Sequence, residues 1–314
     1  MPGPLDIGLV INSRARAGTD QSSRLNAFES ALQQSGHRTL KCETTAPGQG
    51  GDCARQLTDH VDVILALGGD GTFCEVVGGM LAAPGSRARC VAPVSFGTGN
   101  DVACHLGLRA DRDVLAALDR YDPSAPGRIG SRCYDVLEVR CRSGGREVVR
   151  HGFLFAAVGF ATDILRHTTP GVKRWFGQHL SYPVGFFRAL AGWHPVELRV
   201  RTERGQVTEP LVVALVANAP HAGGGAMRIA PGACLTDGLA EVSLVRALGR
   251  WAIARQFFRL VRGTHVRHPR VDHFQSTWME VDAEEAQLVA VDGDIVGETP
   301  MRVRILPSAI RVLG

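Results

Sequence analysis

Up to Asp122 the apolar residues come in short runs separated by turn-forming and helical stretches. Asp6 to Asn12 predicts a buried strand. Ser23 to Gln34 carries Leu25, Phe28, Ala31 and Leu32 at helical spacing, and Gly36 ends that helix. Thr39 to Glu43 predicts a second strand, Gly48 to Gly51 a glycine-rich loop, and Asp52 to His60 a short helix. Val61 to Leu67 and Val91 to Phe96 predict two more strands, each running into glycines and then a helix-like stretch. Asp111 to Asp119 predicts a further helix. This βαβ rhythm implies a mostly parallel sheet covered by helices.

The texture changes at Asp122-Pro123-Ser124-Ala125-Pro126-Gly127, a run that marks a domain boundary. Beyond it, strand-like segments dominate: 134–142, 147–158, 196–202, 211–218, 240–245, 271–281, 286–291, 301–306 and 309–313. Val196-Glu197-Leu198-Arg199-Val200-Arg201 and Met301-Arg302-Val303-Arg304-Ile305 alternate apolar with charged residues, as half-exposed antiparallel strands do. Helical interruptions fall at about 163–192 and 248–262. The expected fold class is α/β plus β. An α/β domain of three layers spans 1–125, a β-sandwich spans 126–314, and the active site lies in the cleft between them.

Composition narrows the class. The chain has 314 residues, 45% apolar and 21% charged, as in ordinary globular proteins. Its net charge of +4 comes almost entirely from arginine, since Lys41 and Lys173 are the only lysines. Such a mild excess suits an anionic ligand or membrane surface and does not demand nucleic acid, which is excluded as a partner. Eight cysteines show no Cys-x-x-Cys pair and no zinc-like spacing with histidine. They are expected to be free, mostly buried thiols in a reducing compartment. No signal sequence and no apolar run of roughly 20 residues is present, so a cytoplasmic location is expected.

The chemistry concentrates in two loops. Gly68-Gly69-Asp70-Gly71-Thr72 follows the 61–67 strand, and Gly97-Thr98-Gly99-Asn100-Asp101 follows the 91–96 strand. Glycines leave backbone N–H groups bare enough to approach a polyanion, and a helix N-terminus beyond adds a positive dipole end. A lone carboxylate, Asp70, would repel a phosphate, so its presence points to a phosphate that is metal-bound or reacting. Each loop alone is also what a tight strand-to-helix turn looks like. Side by side in one parallel sheet, the two would line a single crevice at the carboxyl ends of the strands.

These motifs resemble those of the diacylglycerol kinase catalytic-domain family, which includes soluble bacterial lipid kinases and the cores of sphingosine and ceramide kinases. The match takes in residues 68–72 with Glu75, residues 97–101, Gly223-Gly224-Gly225 with Met227 and Pro231, Asp237-Gly238-Leu239, and Asp292-Gly293-Asp294. The resemblance implies ATP as donor, its phosphates cradled by Gly68, Gly69, Gly71 and Thr72, with Asp70 acting through Mg²⁺. Gly97, Thr98, Gly99, Asn100 and Asp101 form the opposite wall, and Asn12 and Thr44 or Thr45 match nucleotide-contacting positions. It also implies that the third residue of the last motif takes the proton of a lipid hydroxyl. The family has Glu there and this chain has Asp294, one methylene shorter, with Glu298 and Asp292 as alternatives. A structural Mg²⁺ is implied at Asp237 with the carbonyls of Cys234 and Leu239. The family's neighbouring acid is Thr236 here, and an ordinary Asp-Gly turn is the other reading of these residues.

Val245 to Arg270 interleaves Arg246, Arg250, Arg255, Arg259, Arg262, Arg267 and Arg270 with Trp251, Ile253, Phe257, Phe258 and Leu260. Lys173-Arg174-Trp175-Phe176, Phe186-Phe187-Arg188 and Trp193 have the same character. Either these face anionic lipid, or the aromatics are core and the arginines solvated. The expected function is an ATP-dependent lipid kinase with a diacylglycerol-like or sphingoid or ceramide-like acceptor. It would contact a membrane peripherally and could pair as a homodimer through a strand edge. A kinase of a soluble substrate such as NAD, and a catalytically silent nucleotide- or lipid-binding protein, are the competing readings. His265, His268 and His273, close in sequence, are expected to be ordinary surface residues rather than a metal site.

Overall fold

The computed structural model describes residues 3–13, 19–83, 85, 87, 90–97, 100–124, 129–168 and 183–314. The first apolar run forms β1 (Asp6–Asn12), buried from Ile7 to Ile11. Burial on both faces marks a central parallel strand. It pairs in parallel with β2 (Arg38–Thr44) on one side and β3 (Val63–Gly68) on the other, and β3 pairs in parallel with β4 (Cys90–Ser95). Helices α1 (Thr19–Gln34), α2 (Gln49–Leu57) and α3 (Asp70–Leu81) follow β1, β2 and β3, while α4 (Asp101–Leu106) and α5 (Asp111–Leu118) follow β4. The predicted βαβ rhythm is therefore present in space.

The chain divides into two units, Met1–Tyr134 with Ser308–Gly314, and Asp135–Pro307. The division falls after Tyr134 rather than at residue 125. The last seven residues return to the first unit, where Val312 pairs in parallel with Val91 of β4. Residues 125–128 of the Pro/Gly/Ser run lie outside the described residues. The expectation that all cysteines are free and mostly buried is overturned. Cys42 of β2 and Cys53 of α2 form a disulfide with a Cα–Cα distance of 5.6 Å, and of the six free cysteines only Cys90 and Cys141 are buried.

The second unit is β-rich. Its strands are β5 (Ser131–Ser143, from Asp135 on), β6 (Arg146–Gly152), β7 (Phe155–Gly159), β8 (Val196–Thr202), β9 (Gly205–Ala217), β10 (Ala240–Arg246), β11 (Val271–Ser276), β12 (Trp278–Asp282), β13 (Leu288–Val291) and β14 (Asp294–Leu313, up to Pro307). Antiparallel neighbours run β11-β10-β9-β7-β13-β14, and β12 bridges β8 to β14. Leu198, Val200, Val242, Met279, Val281, Val289, Met301 and Val303 share one buried cluster. The alternating segments 196–201 and 301–305 thus behave as predicted, apolar side in.

Two apolar stretches that read as single strands are broken, each by a side chain that claims backbone groups. Residues 147–158 split at 153–154, where the amides of 153, 154 and 155 donate to the Asp292 carboxylate at 2.6, 2.8 and 2.8 Å. Residues 271–281 split at Thr277, where the Ser276 hydroxyl donates to the Trp278 carbonyl at 2.8 Å. Among its described residues the unit also has the helices α6 (Phe160–His167), α7 over 183–192, and α8 (Arg250–Arg262). Phe160, Phe186, Trp193, Ile253 and Phe257 bury a shared apolar seam between them. Among the described residues, no helix is long and apolar enough to cross a membrane.

His265 is buried, not at the surface as expected. Its Nε2 lies 3.2 Å from the Ile229 carbonyl, and burial brings its pKa from 6.5 to about 4. His273 is half-buried and also lowered by burial, with Glu241 opposing the shift, while its Nδ1 meets the Ser243 hydroxyl at 2.8 Å. No group of three His, Cys, Asp or Glu able to hold a metal occurs among the described residues.

Two outcomes are expected. Thiol titration of the denatured, unreduced protein should give six thiols, and eight after reduction. A count of eight before reduction would remove the disulfide. The second concerns acid. The unfolded chain protonates a histidine near 6.5 while native His265 resists until about 4, so stability is complete above 6.5 and is lost as pH falls towards 4. Between pH 7 and 4.5 this histidine should cost the native state roughly 2–3 kcal/mol. Urea unfolding at the two pH values should show a smaller acid loss in His265→Gln than in the parent. An equal loss would mean that the ring does not resist protonation.

Candidate active site

Strand β3 ends at Gly68, and α3 starts at Asp70, so Asp70, Gly71 and Thr72 form the first turn of a helix rather than a loop. The amides heading a helix have no carbonyl within it to donate to. Gly68 is packed under Thr72: a Cβ there would fall 2.4 Å from the Thr72 Oγ1. That hydroxyl also accepts from Asn12 Nδ2 at 2.9 Å, which brings the end of β1 to the head of α3. Asn12, predicted to contact nucleotide, therefore sits at this turn, bonded to another predicted residue.

The second loop lies directly against the first. The amides of Phe96 and Gly97 both donate to the Gly68 carbonyl, at 2.9 and 3.0 Å. A Cβ on Gly97 would stand 2.5 Å from the Gly69 Cα, whereas one on Gly69 would meet the Gly97 Cα at 3.5 Å. Asn100, in the left-handed region at φ 55°, donates from Nδ2 to the Gly97 carbonyl at 2.9 Å. Asp101 opens α4 and is buried. Thr98 and Gly99 lie outside the described residues.

Asp70 joins the two turns. Its Oδ2 accepts from the Asp101 amide at 3.1 Å and its Oδ1 from the Val102 amide at 3.0 Å, so its carboxylate caps α4 from the first turn of α3. A hard oxygen donor of this kind suits Mg²⁺ shared with phosphate oxygens. The donor chemistry at Asp70 fits that ion.

Glu75 links two helices. Its Oε1 accepts from the Gly48 amide at 2.7 Å and its Oε2 from the Gly50 amide at 2.9 Å, so it ties α3 to the start of α2. Thr44 is buried at the end of β2, and Thr45 is exposed, its amide and hydroxyl meeting Gln49 Oε1 at 2.8 and 3.1 Å. Arg24 was not legible from the sequence. It donates to the Ser95 carbonyl at 2.8 Å, bonds Asp111, and lies 4.4 Å over the Phe96 ring, bracing the point where the second turn begins.

In the second unit, Asp292-Gly293 is a tight hairpin turn between β13 and β14, with φ of 49° and 93° and Val291 facing Asp294 across it. Positive φ at both central positions is the turn type that favours Asp-Gly. Asp292 spends both carboxylate oxygens on the amides of 153–155 and is a structural anchor. Asp294, by contrast, is exposed at the first position of β14, and Glu298 is exposed four residues on. Asp237 is exposed and accepts from the Leu239 amide at 3.0 Å, while Gly238 donates to Asp135 Oδ2 at 2.7 Å. The Gly238 bond ties this loop to Asp135 of β5, and Asp237 is the one carboxylate in the ligand set that the resemblance implies, beside the carbonyls of Cys234 and Leu239. Asp135, fully buried, is the organising acid that the motifs did not reveal.

Comparison with known proteins places these turns in context. Residues 6–127 match the diacylglycerol kinase catalytic domain, and residues 157–314 match the YegS C-terminal NAD kinase beta sandwich-like domain. A protein of Shewanella frigidimarina (strain NCIMB 400) named "Probable lipid kinase YegS-like" is 25% identical over 311 residues, covering 97% of this chain and 92% of that one. The diacylglycerol kinase of Bacillus subtilis (strain 168) is 24% identical over 270 residues, 86% of this chain and 83% of its own length. The crystal structure of a diacylglycerol kinase from Bacillus anthracis str. Sterne shares the fold, with a TM-score of 0.66 at 17% identity over 98% of this chain and 96% of that one.

The two glycines that abut should respond differently to alanine. Gly97→Ala forces backbone apart and should cost about 1–3 kcal/mol, read as a lowered melting temperature. Gly69→Ala meets only ordinary contact in the protein and should leave melting unchanged. It should nevertheless weaken nucleotide binding by calorimetry, because the new methyl stands where a phosphate would approach the turn. Unaltered binding in Gly69→Ala would detach this turn from the nucleotide.

Proposed function

The chain belongs to the diacylglycerol kinase catalytic-domain family, and on that footing we propose that it is an ATP-dependent lipid kinase that phosphorylates a lipid hydroxyl. The observation that carries this reading is the abutment of the two glycine turns at Gly69 and Gly97, with Asp70 bridging the heads of α3 and α4. Bare amides at a helix head donate to phosphate oxygens, and the close backbone contact leaves no side chain in their way.

In the proposed reaction the first unit holds ATP. The turn residues Gly68, Gly69, Gly71 and Thr72 orient its phosphates, with Gly97, Asn100 and Asp101 alongside. Asp70 would hold a Mg²⁺ carried in with the nucleotide, which would supply neutralisation of the charge that builds between the β- and γ-phosphates. The acceptor oxygen attacks the γ-phosphorus, a new P–O bond forms, the bond to the β–γ bridging oxygen breaks, and ADP leaves. A primary alcohol keeps its proton at neutral pH, so a carboxylate must take it as the bond forms. Asp294 is assigned this role. It is exposed and stands beside a turn whose other carboxylate, Asp292, is already committed to three amides. The acceptor is assigned to the diacylglycerol-like or sphingoid and ceramide-like lipids.

The test is transfer of labelled phosphate from ATP with Mg²⁺ to diacylglycerol, a sphingoid base, ceramide and phosphatidylglycerol in mixed micelles, with NAD alongside. One labelled lipid is expected. Label on NAD alone, or on nothing while ATP still binds, would replace the reading with a soluble-substrate kinase or a silent binder. Asp294→Asn should lower kcat by about 10²–10⁴ without changing stability. Asp292→Asn should instead lower the melting temperature, because its amide cannot accept all three backbone bonds. Full turnover in Asp294→Asn would pass the base role to another group, Glu298 first.

A further inference from the structure

Helix α8 carries Arg250, Arg255, Arg259 and Arg262 and no acidic residue. Its inner face is spoken for: Ile253 and Phe257 are buried in the seam with Phe160, Phe186 and Trp193. Its outer face is not polar, as an ordinary solvated helix would be. Trp251 is 87% exposed, Phe258 56% and Val261 43%, and Phe187 of α7, 47% exposed, has its ring 5.8 Å from that of Phe257. Trp251, Arg255, Phe258 and Arg262 follow one another at intervals of four, three and four, a single helical face on which aromatic and guanidinium alternate. The helix is held fast by its buried side and by Gly263, which closes its C-terminus at φ 69°.

We infer that this face docks on an anionic phospholipid bilayer. Trp and Phe settle at the headgroup–acyl boundary, where their rings leave water, while arginine stems reach back up so that the guanidinium meets phosphate. The all-arginine charge on α8 complements an anionic surface. It argues against a second copy of this chain on the same face, since arginine would face arginine with no acid on α8 to pair it. Docking does not require the kinase reading, but it deepens it by naming the surface through which a membrane-resident acceptor would be met.

The experiment is co-sedimentation of the full chain, without nucleotide, with vesicles of phosphatidylcholine alone or with about one third phosphatidylglycerol. Each basic residue near an anionic surface contributes roughly a fivefold change in partition. Arg255→Glu/Arg259→Glu should therefore lower binding to the anionic vesicles more than tenfold, and added salt should do the same to the parent. Trp251→Ala/Phe258→Ala should also lower it about tenfold or more, with melting unchanged because both side chains are exposed. The parent's tryptophan emission should shift blue on vesicles, and Trp251→Phe should lose most of that shift. Equal binding to both vesicle types, undiminished binding by both double variants, or conversion of a dimer to a monomer by the apolar variant would overturn the proposal. Phosphate transfer to a dispersed short-chain diacylglycerol, measured on the same variants, should be unchanged. Its absence in the parent would count against the kinase reading and leave the docking result standing.

Discussion

A carboxylate that accepts backbone amides from a neighbouring element is the interaction on which the candidate site depends. Asp70 belongs to the first turn of α3 yet terminates α4, taking the amides of Asp101 and Val102. A short helix such as α4 has little stability of its own, and a charged acceptor at its head is worth about 1–2 kcal/mol. The same bond fixes where Asn100 and Gly97 lie relative to Gly69. Repulsion between Asp70 and a bound phosphate would be softened by the two amides that the head of α4 donates to its carboxylate. One side chain thus sets the spacing of the turns.

The pattern recurs. Glu75, one turn further along α3, takes the amides of Gly48 and Gly50 at the start of α2. Asp292 takes three amides from the β6–β7 connection, and Asp135 takes the amide of Gly238 while Asn218 donates to its carbonyl at 3.0 Å. In every case the carboxylate does the work of a missing strand or helix partner where the chain turns. Buried backbone amides must find acceptors, and a charged oxygen is the strongest that a side chain can offer. Several acids of the motif set are therefore held by folding demands whatever they do in a reaction.

Periodicity read well wherever a segment's own apolar spacing decides its state, as in β1, β3, β4 and the alternating strands β8 and β14. It failed at 153–154 and at Thr277, where the break is imposed by a side chain distant in sequence or by a hydroxyl whose reach no local pattern encodes. The two glycine turns were legible as a pair because parallel neighbours must end at the same sheet edge. What the sequence left open was which glycines are obligatory, and close approach settles that: Gly97 has backbone within 2.5 Å of where a Cβ would stand. The disulfide was invisible because pairing of Cys42 with Cys53 depends on α2 packing back over β2, and spacing in the chain does not report that. Likewise the aromatic–arginine segments admitted two readings from sequence; the core reading holds for Phe257 and Trp193, while Trp251 and Phe258 are exposed.

The C-terminal Asp-Gly-Asp shows why a motif can change at one position and keep its shape. The first aspartate and the glycine are constrained by the turn, through positive φ and three backbone bonds. The third position sits at the start of β14 and is exposed. Asp in place of Glu there moves a carboxylate by about one bond length, which matters to whatever that carboxylate must reach. A hydroxyl acceptor held at the surface of a lipid aggregate can adjust its depth by such a distance far more easily than a rigid soluble substrate can. Under the proposed reading, a lipid acceptor would accommodate the shorter Asp294 side chain more readily than a rigid soluble one.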